Sequence, residues 1–284
     1  MKYYHLSLLV IQVTCYSFPK KFCDIESDGL TKQCFLKETL VSMAHSPNQL
    51  AVDTTTNDLY FSFDSGQGEY IPVKVNVDTK KVTVMKGIKD AFAVAYDSTT
   101  KEIYFGGSYG IYNYSPAKKL LRRLAIGNLD IWWLFVKKNI FFIKFPSLNA
   151  FYYVNKTVKY VHRLKTRTMH QFVYDNDENI FFINSTGLYG LKNNSNEAVM
   201  LRDSPRFLGM TLDNKGQLYL CSEDAIYVLS KIVQKVKRLV NVQGVLGLTF
   251  DKNNNMIYSD SHDVVRLLVV SNDNYYDALN SVTF

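Results

Sequence analysis

Short apolar runs alternate with polar turns along nearly the whole chain, and no apolar stretch recurs with the 3.6-residue period of a helix. Six segments share one pattern: QLAVDTTTNDLYFSF from Gln49, AVAYDSTTKEIYFGG from Ala93, WLFVKKNIFFIK from Trp133, QFVYDNDENIFFIN from Gln171, GMTLDNKGQLYLCS from Gly209 and GLTFDKNNNMIYSD from Gly247. Each reads as an apolar strand, a polar turn and a second apolar strand with an aromatic near its start. Leu59, Ile103, Ile140, Ile180, Leu218 and Ile257 occupy the same place in successive copies, at spacings of 44, 37, 40, 38 and 39 residues. Repeats of about 40 residues built from short strands are those of a propeller blade.

Third strands follow at Tyr70, Gly110, Ala150, Gly187, Ala225 and Val264. More charged fourth strands follow in five copies: KKVTVMKGI, KKLLRRLAI, VKYVHRLK, EAVMLRD and QKVKRLVNV. The sixth copy lacks a fourth strand, whereas CFLKETLV, from Cys34 to Val41, precedes the first copy without a partner. The expectation is an all-β protein, a six-bladed propeller of four-stranded antiparallel blades, closed by the N-terminal strand completing the last blade. An open ring would leave strand edges and apolar blade faces exposed. Asp53, Asp97, Asp175, Asp213 and Asp251 open the first turn of five copies, with Lys137 in the third. Asx turns explain them, and carboxylates pointing outward from separate blades would not converge on a metal.

Residues 1–17 join a basic start at Lys2 to an apolar run from Leu6 to Val13 that is too short to cross a bilayer, with small residues at Cys15 and Ser17. They read as a secretory leader, leaving residues 18–284 as one propeller domain without a membrane anchor. In an oxidising compartment Cys23 and Cys34 are expected to pair, with Cys221 a buried thiol in the apolar run LYLCS. Asn155, Asn184 and Asn193 are candidate glycosylation sites, and Pro116 weakens a fourth triplet at Asn113.

Four histidines beyond the leader lie in separate segments without zinc spacing, and no nucleophile elbow, Walker loop or dinucleotide fingerprint occurs. Catalytic residues, a metal and a cofactor are therefore not expected. A metal-dependent lactonase on the same fold stays open, since such enzymes gather single acidic and amide ligands from separate blades. The residues leading into the six inner strands are Asn48, Phe92, Trp132, His170, Leu208 and Leu246. None is a carboxylate, so this ring reads as a stacking surface with a few polar groups. Of these, Asn48, Phe92, Trp132 and His170, with their neighbours Gln49, Trp133, Gln171 and Arg206, form the candidate ligand site. The two tryptophans either wedge between blades or cover a planar ligand. The net charge of +7 favours an anionic ligand, and the scatter of Lys and Arg over outer strands argues against nucleic acid.

SPNQLAVDTTTNDLYFSF, GIKDAFAVAYDSTTKEIYFGGSYGIYNY and DIWWLF, with the early cysteine pair, resemble the insect, chiefly lepidopteran, ommochrome-binding proteins. LYFSF, IYFGG and IYSD are also similar to YWTD-type repeats, of which only the last keeps the terminal Asp, at Asp260. The resemblance implies a haemolymph protein that binds a tryptophan-derived phenoxazinone pigment or its precursor for transport or storage, and a secreted, non-catalytic monomer is expected. It transfers no ligand residues. An extracellular protein-interaction propeller is a further reading, for which a broad apolar patch on one face would be the mark.

Overall fold

The computed structural model describes residues 21–25, 32–43, 47, 49–127, 129–230 and 235–270. The leader at 1–17 and Asn48 lie outside the described residues. Six antiparallel sheets form the six blades. Their inner strands are Leu50–Asp53, Ala91–Asp97, Ile131–Lys137, Gln171–Tyr174, Gly209–Leu212 and Gly247–Phe250. Each lies beside the inner strands of two other blades, and Gly247–Phe250 meets Leu50–Asp53 to complete the ring.

Burial follows from this stacking. A sheet packed on both faces needs apolar side chains on both, which is why Leu50–Asp53 is buried throughout. The outer strands Val82–Val84 and Thr157–Tyr160 are exposed throughout, in keeping with their charge-rich surroundings. Six apolar clusters make up the core, and each joins two adjacent blades. Leu59 and Phe61 of the first blade, for example, pack with Ile257 and Val264 of the sixth and with Leu40 of the N-terminal strand.

Closure runs as expected, with one addition. Lys32–Ser42 pairs antiparallel with Asp263–Val270, matching Cys34 to Val270 and Leu36 to Leu268. The sixth blade is not limited to four strands, because Lys21–Ile25 folds back on Lys32–Ser42 as a fifth. Cys23 faces Cys34 in that register and is disulfide-bonded to it, and Phe22 stacks on Phe35 at 5.7 Å.

An ion cluster pins the two ends of the chain together. Arg266 donates from Nε and Nη2 to Glu38 Oε2 at 2.8 and 2.6 Å, and its Nη1 lies 3.4 Å from Asp251 Oδ2 and 3.7 Å from Asp78 Oδ1. Asp251 is fully buried, so without Arg266 its carboxylate would lose its nearest cation.

Two sequence expectations need correction. The carboxylates of Asp53, Asp175, Asp213 and Asp251 do not point outward. Each is buried over its own turn and accepts the N–H two residues ahead, at 2.8–2.9 Å, which draws the side chain inward. Asp97 makes the same bond to Thr99. In the third blade the strand read from Val158 to Lys165 ends at Tyr160, and His162–Leu164 forms a 3-10 turn. Val161 and Leu164 are drawn beneath the blade into the cluster holding Trp133 and Met169.

Replacing Arg266 by Met should lower the unfolding free energy by about 3 kcal/mol, because Glu38 and Asp251 would keep their charges without the partner. Urea unfolding checks this, and a variant as stable as the parent would show that the strand pairing alone holds the ring. Burial pushes the Cys221 thiol up to about 12. It should resist iodoacetamide until the protein unfolds, and mass spectrometry without reductant should find only Cys23 and Cys34 joined.

Candidate functional site

An inner strand has a blade partner on one side only, so its other edge presents backbone N–H and C=O groups to the central channel. The channel opens at two mouths. At the mouth beside the first turns, a cavity of about 580 Å³ is lined by small polar side chains such as Thr54, Ser98, Asn176 and Asn214. At the opposite mouth, where the chain leads into each inner strand, a cavity of about 380 Å³ brings together Gln49, Phe92, Trp132, Trp133, His170, Gln171 and Arg206. These are all the sequence candidates except Asn48.

The seven side chains differ in what they do. Gln49 and Gln171 are buried and engaged with the free edges of other blades. Gln49 Nε2 donates to Leu134 O at 2.6 Å, and its Oε1 accepts from Val94 N at 3.2 Å and Leu134 N at 3.4 Å, so this amide of the first blade ties the second and third together. Gln171 repeats the device on the fifth blade, donating to Leu208 O at 3.2 Å and accepting from Met210 N at 2.8 Å. Both amides act as one peptide unit of a missing strand, and their contribution is cohesion. Gly209 leaves room beside this amide for the buried thiol, since a Cβ there would lie 2.8 Å from Cys221 Sγ.

Trp133 and Trp132 go opposite ways. Trp133 is buried between the third and fourth blades and donates from Nε1 to Phe172 O at 3.2 Å. Trp132 is 37% exposed. The cause is a β-bulge: Ile131 pairs with Lys144 and Trp133 with Ile143, leaving Trp132 as the extra residue. The second blade has the same irregularity, with Phe92 extra between Ala91 and Ala93. There the backbones approach so closely that a Cβ on Gly107 would lie 1.9 Å from Asp90 O. Both bulges re-aim their aromatics at the mouth, where Trp132 stacks on Phe92 with centroids 5.0 Å apart and planes at 23°. Tyr70 meets Phe92 edge-on at 4.9 Å, and Phe145 lies 6.2 Å beyond Trp132.

His170 and Arg206, which lead into the fourth and fifth blades, line the same cavity. Arg206 is exposed, and no carboxylate pairs with it among the described residues. Burial, then the Arg206 guanidinium, holds the His170 imidazole below its ordinary value, so it is neutral at pH 7. The mouth therefore has an aromatic side and a basic side. Sequence reasoning named no residue from the loops after the second strands, yet Phe145 and Leu148, from such a loop in the third blade, complete the lining. The exposed aromatic of KFPSL was the available signal. Among the described residues, no three His, Cys, Asp or Glu side chains come together as metal ligands. No helix among them is long and apolar enough to cross a membrane.

No family model matches the chain. In shape it is similar to a gluconolactonase from Xanthomonas campestris, with a TM-score of 0.68 and 13% identity over 84% of this chain and 90% of that one. It is also similar to regucalcin, a calcium-binding protein from Agrobacterium tumefaciens, with a TM-score of 0.62 and 11% identity over 82% and 93%. At such identities the likeness is one of fold. In sequence, the ommochrome-binding protein of Manduca sexta is 30% identical over 243 residues, covering 82% of this chain and 87% of that protein. With that identity sustained over most of both chains, this propeller belongs to the ommochrome-binding protein family.

Proposed function

We propose that the protein is a secreted, monomeric, non-catalytic carrier that binds a planar, acidic, tryptophan-derived ommochrome pigment or precursor in haemolymph. The observation that carries this reading is the mouth itself, where Trp132 offers an exposed aromatic surface in the same cavity as the uncompensated Arg206. A flat conjugated acid needs both, one for stacking and one for a charge-assisted hydrogen bond. Trp132, Phe92, His170 and Arg206 are assigned to the ligand, whereas Gln49, Gln171 and Trp133 hold the wall behind it. Asn48, at the equivalent place of the first blade, would complete the rim.

The disulfide supports passage through an oxidising compartment. Asn155 and Asn193 are exposed and suit glycosylation, Asn155 at the tip of a tight turn with φ 49°. Asn184 is half-buried, and its Oδ1 accepts from Thr186 N and Oγ1 at 2.9 and 2.7 Å, a turn that does not engage the Nδ2 a glycan would join. A lactonase would need several acidic or amide ligands converging on the channel. The residues leading into the inner strands include no carboxylate, and among the described residues no three His, Cys, Asp or Glu side chains gather as metal ligands, which favours binding over turnover. An interaction propeller finds less support, since the exposed apolar side chains Val84 and Val199 lie on outer strands of separate blades and Val269 on the third strand of another.

Titration with xanthommatin tests the assignment. Trp132→Ala should weaken binding roughly 5- to 150-fold, the worth of a stacking platform, without lowering stability. Trp133→Ala should instead cost about 3–5 kcal/mol of unfolding free energy. Arg206→Ala should weaken the acid and spare a neutral ester of it. Normal binding by the Trp132 and Arg206 variants would place the pigment elsewhere.

The sign of the pH dependence follows from His170. Its value in the free protein lies below 6.5, so protonation in mild acid adds a positive charge beside Arg206. Affinity for a carboxylate-bearing ligand should therefore rise as pH falls below 6.5, and His170→Gln should flatten the profile. An unchanged profile in that variant would remove His170 from the site.

A further inference from the structure

Trp132 has two aromatic neighbours of different closeness. Phe92 forms a close stack with it, at 5.0 Å and 23°. The ring of Phe145 is 6.2 Å away and inclined by 33°. That separation is too wide and too tilted for a good stack between the two rings, so they bound a wedge-shaped gap. Both rings are unusually exposed for their size, at 37% and 46%. Their backbones are nonetheless fixed. Trp132 sits on a bulge held in register on either side, and Phe145 donates its N–H to Asp130 O at 2.9 Å. Two aromatic faces are thus held apart on a rigid frame, on the rim of a cavity that also holds Arg206.

A flat ring between two others needs about 3.5 Å on each side, or roughly 7 Å between the outer rings. The gap must open by only about 1 Å, within the reach of a small turn of the Phe145 side chain. The close stack with Phe92 steadies the indole as a ring enters.

We propose that Trp132 and Phe145 form a two-sided clamp that takes the flat fused-ring body of the ligand between them and leaves its acidic edge directed to Arg206. This rests on the pigment-binding reading above and adds Phe145, from outside the ring of strand-leading residues, as a residue that sets specificity for flat ligands. A one-sided platform would accept any apolar surface. A clamp admits a body one ring thick and rejects a puckered or branched one, because burial of both faces is lost together.

The test is a titration of purified full-length protein with xanthommatin, following tryptophan quenching, for the parent, Phe145→Ala, Phe145→Leu and Trp132→Ala. Phe145→Leu keeps an apolar side chain but removes the flat face. Both Phe145 variants should bind roughly 5- to 30-fold more weakly, at unchanged unfolding midpoint because the ring is exposed. If both Phe145 variants bind like the parent while Trp132→Ala is weakened, the ligand stacks on one side only and the clamp is refuted, with pigment binding at the mouth intact. If Phe145→Ala is weakened but Phe145→Leu is not, apolar cover suffices and the clamp is again refuted. If the parent itself fails to bind, the clamp and the pigment reading fall together.

Discussion

Every part of this fold depends on the last gap in the ring being filled. Blades are apolar on both faces, and each core cluster is shared by two neighbours, so an unfilled gap would expose two faces at once. Lys32–Ser42 prevents this by bonding to Asp263–Val270, drawing Leu40 into the cluster between the first and sixth blades. Hydrogen bonds alone would not set which end pairs where. Arg266 adds direction, since its guanidinium reaches Glu38 on the N-terminal strand and Asp251 in the first turn of its own blade. The disulfide then ties a fifth strand over what would have been an exposed edge.

Closure creates a second constraint at the centre. Six inner edges face the channel with unpaired peptide groups, and the channel is too wide for them to pair with one another. Gln49 and Gln171 answer part of this by inserting side-chain amides against those edges. The same demand explains why the mouth is aromatic on one side. In the second and third blades a bulge displaces Phe92 and Trp132 from the ladder, and Gly107 accommodates the crowding. Irregularities that re-aim a side chain weaken pairing locally, and they are tolerable where packing on either side is dense. Dense it is: Ala91, Ala93, Ile131 and Trp133 flank the displaced residues and all are buried.

The repeat period and the strand pattern were legible in the sequence because each blade restates the same alternation, and errors in one copy are corrected by the others. The closing strand was legible by subtraction, as a strand without a partner at one end and a blade short of one at the other. The mouth residues were found as a group because their position relative to the first turn is conserved by geometry. Their individual roles were not legible. Trp132 and Trp133 are identical side chains next to each other, and only the bulge decides that one is wall and the other surface. Gln49 and Gln171 look like ligand contacts until the distances to Leu134, Val94, Leu208 and Met210 show what they hold. Phe145 was invisible for a different reason, since it comes from a loop without a repeat to mark its place. The fifth strand was missed because Lys21–Ile25 has no counterpart in the other blades.

The same architecture in a gluconolactonase and in regucalcin shows how little the ring itself says about chemistry. What the ring supplies is a fixed set of positions around one mouth. A carboxylate or amide at several of them would converge on a cation, because inner strands from different blades all lead to the same axis. Aromatic residues at two adjacent ones converge on each other instead, as Trp132 and Phe92 do, and build a surface rather than a coordination shell. Placing Phe92 and Trp132 on neighbouring blades matters here. Were they on opposite blades, each ring would stand alone across the cavity, with no support behind it. Adjacent, they form a continuous aromatic side, and the next two blades around the ring bring His170 and Arg206 to the same cavity.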